Sequence, residues 1–541
     1  MSLKLKLNFA EINYSKNMEF LKTLILNIVL FFLRKVRDAV DYFSEIVFGW
    51  IYQGKHVKLP RIKDQCLLEP AHIVAAKIRR RQLTSSEVIK AYIHRIKEVQ
   101  PIVNAIVDDR FSEAILEAQA IDEFLKGTLK TEAELAEETP FLGVPVTIKE
   151  AIAVKGCLFT VGLPARKGVR AEIDSDAATR LKKAGAIPIA VTITPELCFW
   201  WESYNTLYGR CCNPYDTTRT AGGSSGGEGC ILGCAGSVIG VGNDIGGSIR
   251  IPACFNGVFG HKPSRGVVSN YGQYPPAGPS LQKYLIAGPM CRYASDLLPM
   301  MKVLSDQKFL KLDSKVNFSD LKIFFMENEG GNPFVSAVHP EILEAQSRLM
   351  QYFKETYGIE PVKVKIPHVV HSFEIWSKII TASGMNPSYE MTGRAGEPDL
   401  AWEILKWCIP GCSDHVLPVL VSAVFNKIWA PENEKDAMKY FKMMYAMEEY
   451  FKDLLGKNGI FIYPTSPDLP PYHGQPLLKP FSVSYTAIFN LLGLPVSQCP
   501  LGLSSNGLPI GLQIVGNHYC DHITIAVAEE IEKVFGGWIC P

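Results

Sequence analysis

The stretch from Gly222 to Gly260 constrains this chain more than any other. It reads GGSSGGEGCILGCAGSVIGVGNDIGGSIRIPACFNGVFG, and 13 of its 39 residues are Gly, from only 43 in the 541-residue chain. Glycine lets a backbone amide approach a ligand closely, at an entropic cost that an ordinary loop does not bear. Three kinds of site use such a loop. A phosphate loop of the G-x-x-x-x-G-K-[ST] kind needs a Lys that is absent, and a dinucleotide turn needs a third Gly where Leu232 stands after Gly227-Glu228-Gly229. The third is an oxyanion hole, whose amides stabilise the negative oxygen of a tetrahedral acyl intermediate beside a nucleophile. Two serine groups are available, Ser224-Ser225 and Ser248.

Gly222-x-Ser224-x-Gly226 and Gly223-x-Ser225-x-Gly227 both fit the G-x-S-x-G elbow of α/β-hydrolases. That elbow follows an apolar strand directly, whereas the polar run Asn213 to Ala221, NPYDTTRTA, precedes these serines. The elbow reading is therefore set aside.

Taken together, Gly222-Gly223-Ser224-Ser225-Gly226-Gly227-Glu228 and Asp244-Ile245-Gly246-Gly247-Ser248-Ile249-Arg250, with 24 positions from Ser224 to Ser248, resemble the signature of the amidase signature family. Leu142 to Glu150, LGVPVTIKE, is similar to that family's lysine-bearing strand. The resemblance covers roughly residues 65–541 and is weakest over 300–450. It implies an α/β fold, a large twisted mixed β-sheet covered by helices on both faces. It also implies no cofactor and no metal, in keeping with the absence of C-x-x-C and H-E-x-x-H patterns among 14 Cys.

The same resemblance assigns roles. Ser248 attacks the amide carbonyl and is acylated, and the N–H groups of Ile245, Gly246, Gly247 and Ser248 receive the oxyanion. Ser224, on a cis peptide, bridges Ser248 and Lys149, with Ser225 as a hydrogen-bonding neighbour. Cys198 aligns with a backbone position that touches the acyl group, although a packed thiol accounts for it equally well. Asp244 and Arg250 fix the loop, and His261 is structural, since the family uses no histidine.

A lysine serves as base only when neutral. Bringing its pKa from about 10.4 to about 7 requires roughly 4 to 5 kcal/mol of destabilisation of the charge, which means desolvation. The apolar strand Val144 to Ile148 is suited to such a burial. Alternation along the strand should turn Glu150 away from Lys149.

The chain divides into residues 1–60, a hydrophobic membrane-associating segment, and 65–541, the catalytic domain. Phe20 to Leu33, FLKTLILNIVLFFL, is a candidate transmembrane helix or anchor, although its 14 residues fall short of the roughly 20 that span a bilayer. Val36, Val40, Phe43, Val47 and Trp50 continue a helical apolar stripe to Tyr52. A membrane-associated location, at the endoplasmic reticulum or a lipid droplet, follows as the expectation. Net charge is +1, so no nucleic-acid partner is expected, while a homodimer is allowed.

Residues 373–451 are dense in Met and aromatic groups, which suits an acyl-chain channel and core packing alike. Leu492 to Leu503, LGLPVSQCPLGL, and the tail from Asp521 resemble the branch of the family that cleaves fatty-acid amides. The expected function is a serine hydrolase acting on primary fatty amides and N-acylethanolamines, a lipid amide being the substrate. The alternatives are a glutamine-hydrolysing amidotransferase subunit and a non-catalytic membrane scaffold.

Overall fold

Thr84 opens the helix Ser85–Val103 with a capping box: its side chain accepts from the Glu87 N–H while the Glu87 carboxylate accepts from the Thr84 N–H. Val88, Tyr92, Ile96 and Val99 form its buried stripe. Pro101 lies in its last turn. Asn104, in the left-handed region, closes it.

The computed structural model of the protein describes residues 2–306 and 310–541, with side chains from residue 24 onward apart from Asn27. Thirteen strands occur among the described residues: β1 Ile106–Asp109, β2 Pro145–Lys149, β3 Ile187–Thr192, β4 Tyr204–Asn205, β5 Gly209–Arg210, β6 Ile239–Asp244, β7 Phe259–Lys262, β8 Ile286–Cys291, β9 Lys322–Phe325, β10 Val362–Lys363, β11 Gly459–Pro464, β12 Val496–Leu503 and β13 Pro509–Gly516. Eleven form one sheet in the order β1-β3-β2-β6-β8-β7-β12-β13-β11-β9-β10, and β4 and β5 form a separate hairpin. Pairing is parallel between β3 and β2, β2 and β6, β11 and β9, and β9 and β10, and antiparallel elsewhere in the large sheet. Helices flank this mixed sheet, giving the α/β architecture expected.

The parallel strands β2, β3 and β6 are buried at every position. Such strands carry near-continuous apolar runs because both faces are covered. The polar residues that interrupt them, Thr147, Lys149, Thr192, Asn243 and Asp244, are therefore conspicuous. Thr147 and Thr192 are satisfied by one carboxyl, each hydroxyl donating to Glu228 at 2.8 Å. Burial pushes the Glu228 carboxyl up to about 8 against the opposing hydrogen bonds from Thr192 and Thr147.

One helix runs from Ser2 to Tyr52. The Phe20 to Leu33 anchor falls partly outside the described side chains, those of residues 20–23 and Asn27 being among those not described. Among the described residues, no helix is long and apolar enough to cross a membrane, which corrects the expectation of a transmembrane helix. The apolar run closes at Arg34, Lys35 and Arg37, and beyond them the helix carries a polar stripe.

That polar stripe faces the protein. Arg37 Nη1 donates to the Leu478 carbonyl at 2.6 Å, and Asp41 lies 3.6 Å from Lys479 Nζ. Gln475 Nε2 donates to Ser44 Oγ at 3.1 Å and to Glu45 Oε2 at 3.0 Å. Tyr52 stacks on Tyr472 with centroids 5.7 Å apart. The stripe one residue back, about 100° round the helix, is Val36, Val40, Phe43, Val47 and Trp50, and all five are exposed, Phe43 at 63% and Trp50 at 78%.

Candidate active site

Lys149 ends β2 and has no exposed surface. Its Nζ donates to Ser224 Oγ at 2.6 Å and to Asn243 Oδ1 at 2.7 Å. Strand order explains the second contact. β6 runs parallel to β2 with Val146 opposite Ile239 and Ile148 opposite Val241, so Asn243 arrives beside Lys149 where both strands end. Asn243 is itself held, its Nδ2 donating to Gln273 Oε1 at 2.8 Å.

Burial drives the Lys149 amine below the usual lysine range, outweighing the upward pull of Cys198, Asp244 and Glu228. Among the described residues, no carboxylate forms an ion pair with it. Glu150, the nearest in sequence, accepts instead from the Thr160 N–H at 2.7 Å and the Thr160 hydroxyl at 2.6 Å. Alternation along the strand predicts that separation.

Ser224 follows Gly223 through a cis peptide bond. The Ser225 N–H donates to the Ser248 carbonyl at 3.1 Å, which draws the two serine stretches together. Ser248 is half-buried and lines two cavities. Among the described residues, no hydrogen bond joins the hydroxyls of Ser224 and Ser248. Catalytic hydrogen bonds commonly tighten only when substrate is present.

Between the serines, the loop is held by Asp244. Its Oδ1 accepts from the Gly247 N–H at 2.7 Å and from Arg250 Nη2 at 3.0 Å, and its Oδ2 accepts from the Ile249 N–H at 3.0 Å and Arg250 Nε at 3.1 Å. Burial alone would raise this carboxyl, but the Arg250 charge and hydrogen bonds override it and hold the group well below the usual carboxylate range. Gly247 has φ +127°, and a Cβ there would lie 2.2 Å from Thr486 Oγ1, so only Gly fits. With the Gly247 amide engaged by Asp244, the N–H groups of Ile245, Gly246 and Ser248 are the ones that make no hydrogen bond among the described residues.

The two cavities differ in character. One, of about 260 Å³, is walled by Trp201, Ile251, Phe373, Trp376, Ile380 and Phe425. The other, of about 480 Å³, reaches Ser224, Asn243, Tyr274, Asn386, Glu390 and Arg394. Cys198 lines both, in a turn where Leu197 and Cys198 have φ of 56° and 61°. The Met and aromatic density of residues 373–451 thus divides: Phe373, Trp376 and Phe425 wall the apolar cavity, whereas Tyr440, Met444, Met447 and Phe451 are core.

His261 is part of a Ser-His-Asp row, with Nδ1 2.9 Å from Ser497 Oγ and Nε2 3.2 Å from Asp521 Oδ1. All three residues are fully buried, and neither cavity reaches them. The row is a structural brace, as expected of His261.

Asn243 joins these residues without having been singled out in the sequence, and Trp376, one of the aromatic residues suited to a channel wall, also bonds the Ser248 loop. Asn243 stands between the two Gly-rich halves, and the signal for it was a polar side chain near the end of an otherwise apolar parallel strand.

A family model described as Amidase matches residues 87–525. The chain belongs to the amidase signature family. This amidase is therefore an amide-cleaving hydrolase. It is similar to human fatty-acid amide hydrolase 2, with 44% identity over 90% of this chain and 92% of the relative. Zebrafish (Danio rerio) fatty-acid amide hydrolase 2-A is 43% identical over 89% and 91% of the two chains. Among solved structures, a fatty acid amide hydrolase superposes with a TM-score of 0.69 at 21% identity, covering 94% of this amidase and 90% of that chain, a likeness of fold.

Proposed function

We propose that this amidase cleaves fatty-acid amides, including primary fatty amides and N-acylethanolamines, through an acyl-enzyme on Ser248. The observation that carries the reading is the buried, carboxylate-free Lys149 amine 2.6 Å from Ser224 Oγ, next to a serine that opens onto an apolar cavity. Neutral Lys149 takes the Ser248 proton through Ser224 as Oγ bonds to the carbonyl carbon, and the relay then returns that proton to the departing nitrogen. Free amides at Ile245, Gly246 and Ser248 stabilise the oxyanion, and Ser225 keeps the loops in register. Cys198 borders the acyl group.

The apolar wall supports a long acyl chain rather than the polar side chain of glutamine, and the names of the relatives point the same way. The test is a series of amides differing only in chain length. Turnover per unit concentration should rise by about tenfold for every two methylenes that enter the cavity, at roughly 0.8 kcal/mol per buried CH₂. A preference for acetamide or glutamine over decanamide would reject the reading.

The proposal includes residues 1–60 as a membrane-contacting segment of the 65–541 catalytic domain, and a homodimer that light scattering of the full chain would check. The exposed stripe Val36 to Trp50 supports contact with a lipid surface, because the neighbouring polar stripe is already taken up by the protein. Replacing both Phe43 and Trp50 with Ser should reduce flotation with phosphatidylcholine vesicles by roughly tenfold or more, given about 1.5 to 3 kcal/mol per large apolar side chain. Hydrolysis of a short soluble amide should not change. Undiminished flotation would place the contact elsewhere.

A further inference from the structure

The three carbonyls that precede Ser248, those of Ile245, Gly246 and Gly247, are each held by a hydrogen bond, and one of the donors stands in the wall of the apolar cavity. A peptide unit is planar, so its carbonyl and the following N–H point in opposite directions, and holding one aims the other. The Gly247 carbonyl accepts from the Ile251 N–H at 2.8 Å, which orients the Ser248 N–H. The Gly246 carbonyl accepts from Thr486 Oγ1 at 2.6 Å, which sends the Gly247 N–H towards Asp244. The Ile245 carbonyl accepts from the indole Nε1 of Trp376 at 2.8 Å. The Gly246 N–H, which makes no hydrogen bond among the described residues, is thereby directed the opposite way.

Trp376 reaches this carbonyl from the helix Ser372–Ala382, 131 residues on in sequence. Its ring lies so close to Gly246 that an added Cβ would be 3.0 Å from Cζ2, so the position that carries the free amide is also the one that admits the indole. A row of rings supports it: Phe373 lies 6.1 Å from Trp376, 6.0 Å from Phe425 and 4.8 Å from Phe481, centroid to centroid. The ring body lines the cavity while the N–H serves the loop.

We propose that Trp376 is a positioning residue for amide hydrolysis: by holding the Ile245 carbonyl it aims the Gly246 N–H at the oxygen of the substrate carbonyl attacked by Ser248. The proposal rests on the Ser248 reading above. It adds that a residue of the acyl wall sets the electrostatics of the reacting centre, so the indole N–H acts on kcat and the indole surface acts on KM.

The two parts of the side chain can be separated. Replacing Trp376 with β-(3-benzothienyl)alanine in the full chain exchanges the N–H for sulfur and keeps the shape of the ring. Expected for decanoyl p-nitroanilide is a fall of about tenfold in kcat, less than the loss of a direct oxyanion donor, with KM within twofold of wild type. Trp376→Phe, which also removes ring surface, should lower kcat similarly and raise KM. Rates are expressed per site titrated to completion with a fluorophosphonate, so misfolded protein is not counted. Wild-type kcat in the benzothienyl protein, or an effect confined to KM, would overturn the proposal. Full fluorophosphonate labelling of Ser248→Ala would instead overturn the reading beneath it, so the two failures are distinct.

Discussion

Ser248→Ala should lose fluorophosphonate labelling completely and fall by about 10⁴-fold to 10⁶-fold in kcat for a long-chain amide, the range seen when a serine nucleophile is removed. The fold should survive, because among the described residues the Ser248 hydroxyl makes no hydrogen bond that the change would orphan, and its carbonyl keeps the Ser225 N–H. Ser224→Ala is the informative companion. It leaves the nucleophile in place but cuts the 2.6 Å link to Lys149, so labelling should become slow rather than absent. Mass spectrometry of the labelled peptide decides the matter, and a label on Ser224 or Ser225 instead of Ser248 would reverse the roles.

The second large effect concerns Lys149. Lys149→Met keeps most of the volume and removes the base, and should lower kcat/KM by about 10³-fold, within the range of general acid–base catalysis. In the unaltered protein the base works only when uncharged. Its folded-state pKa is depressed by burial, so activity is present above that pKa and is lost as pH falls through it. The acid limb of kcat/KM therefore belongs below the ordinary lysine value of about 10.4. Half-maximal activity near pH 10, or unimpaired labelling of Lys149→Met, would remove the lysine from the mechanism.

The stability effect has its own sign. Between the folded and unfolded pKa of Lys149 the unfolded chain binds the extra proton, so stability rises with pH across that window, and the side chain opposes folding at the lower end of it. Lys149→Met should then cost activity without lowering Tm at neutral pH. Catalytic power and stability pull in opposite directions at this position.

Much of this site was legible in one dimension. The Gly and Ser spacing, the strand that ends in lysine, the turning away of Glu150 and the structural status of His261 all depend on local chemistry or on strand alternation. Asn243 does not. Its contact with Lys149 exists because β6 is the parallel neighbour of β2, and neighbour identity in a mixed sheet is set by the whole chain. Trp376 was hidden for a different reason: a tryptophan among many aromatic residues reads as bulk, and the direction of its N–H depends on how the helix Ser372–Ala382 is rotated. The N-terminal helix shows the same limit, since periodicity revealed the apolar stripe but not that its polar neighbour would be docked on Gln475, Leu478 and Lys479. The family resemblance places the Gly247 amide among the oxyanion donors, and nothing in the sequence distinguishes it from that of Gly246. Asp244 separates them.

The bond from the Ser225 N–H to the Ser248 carbonyl closes a ring of chain whose contents are a helix, Gly226–Gly233, and a strand, β6. Neither can change length freely. One extra residue in the helix would rotate its exit by about 100°, and one extra residue in β6 would turn Asn243 to the other side of the sheet. A single-residue insertion within the helix Gly226–Gly233 or within β6 should thus lower kcat for a long-chain amide about as far as loss of the nucleophile does, even though it touches no reacting atom.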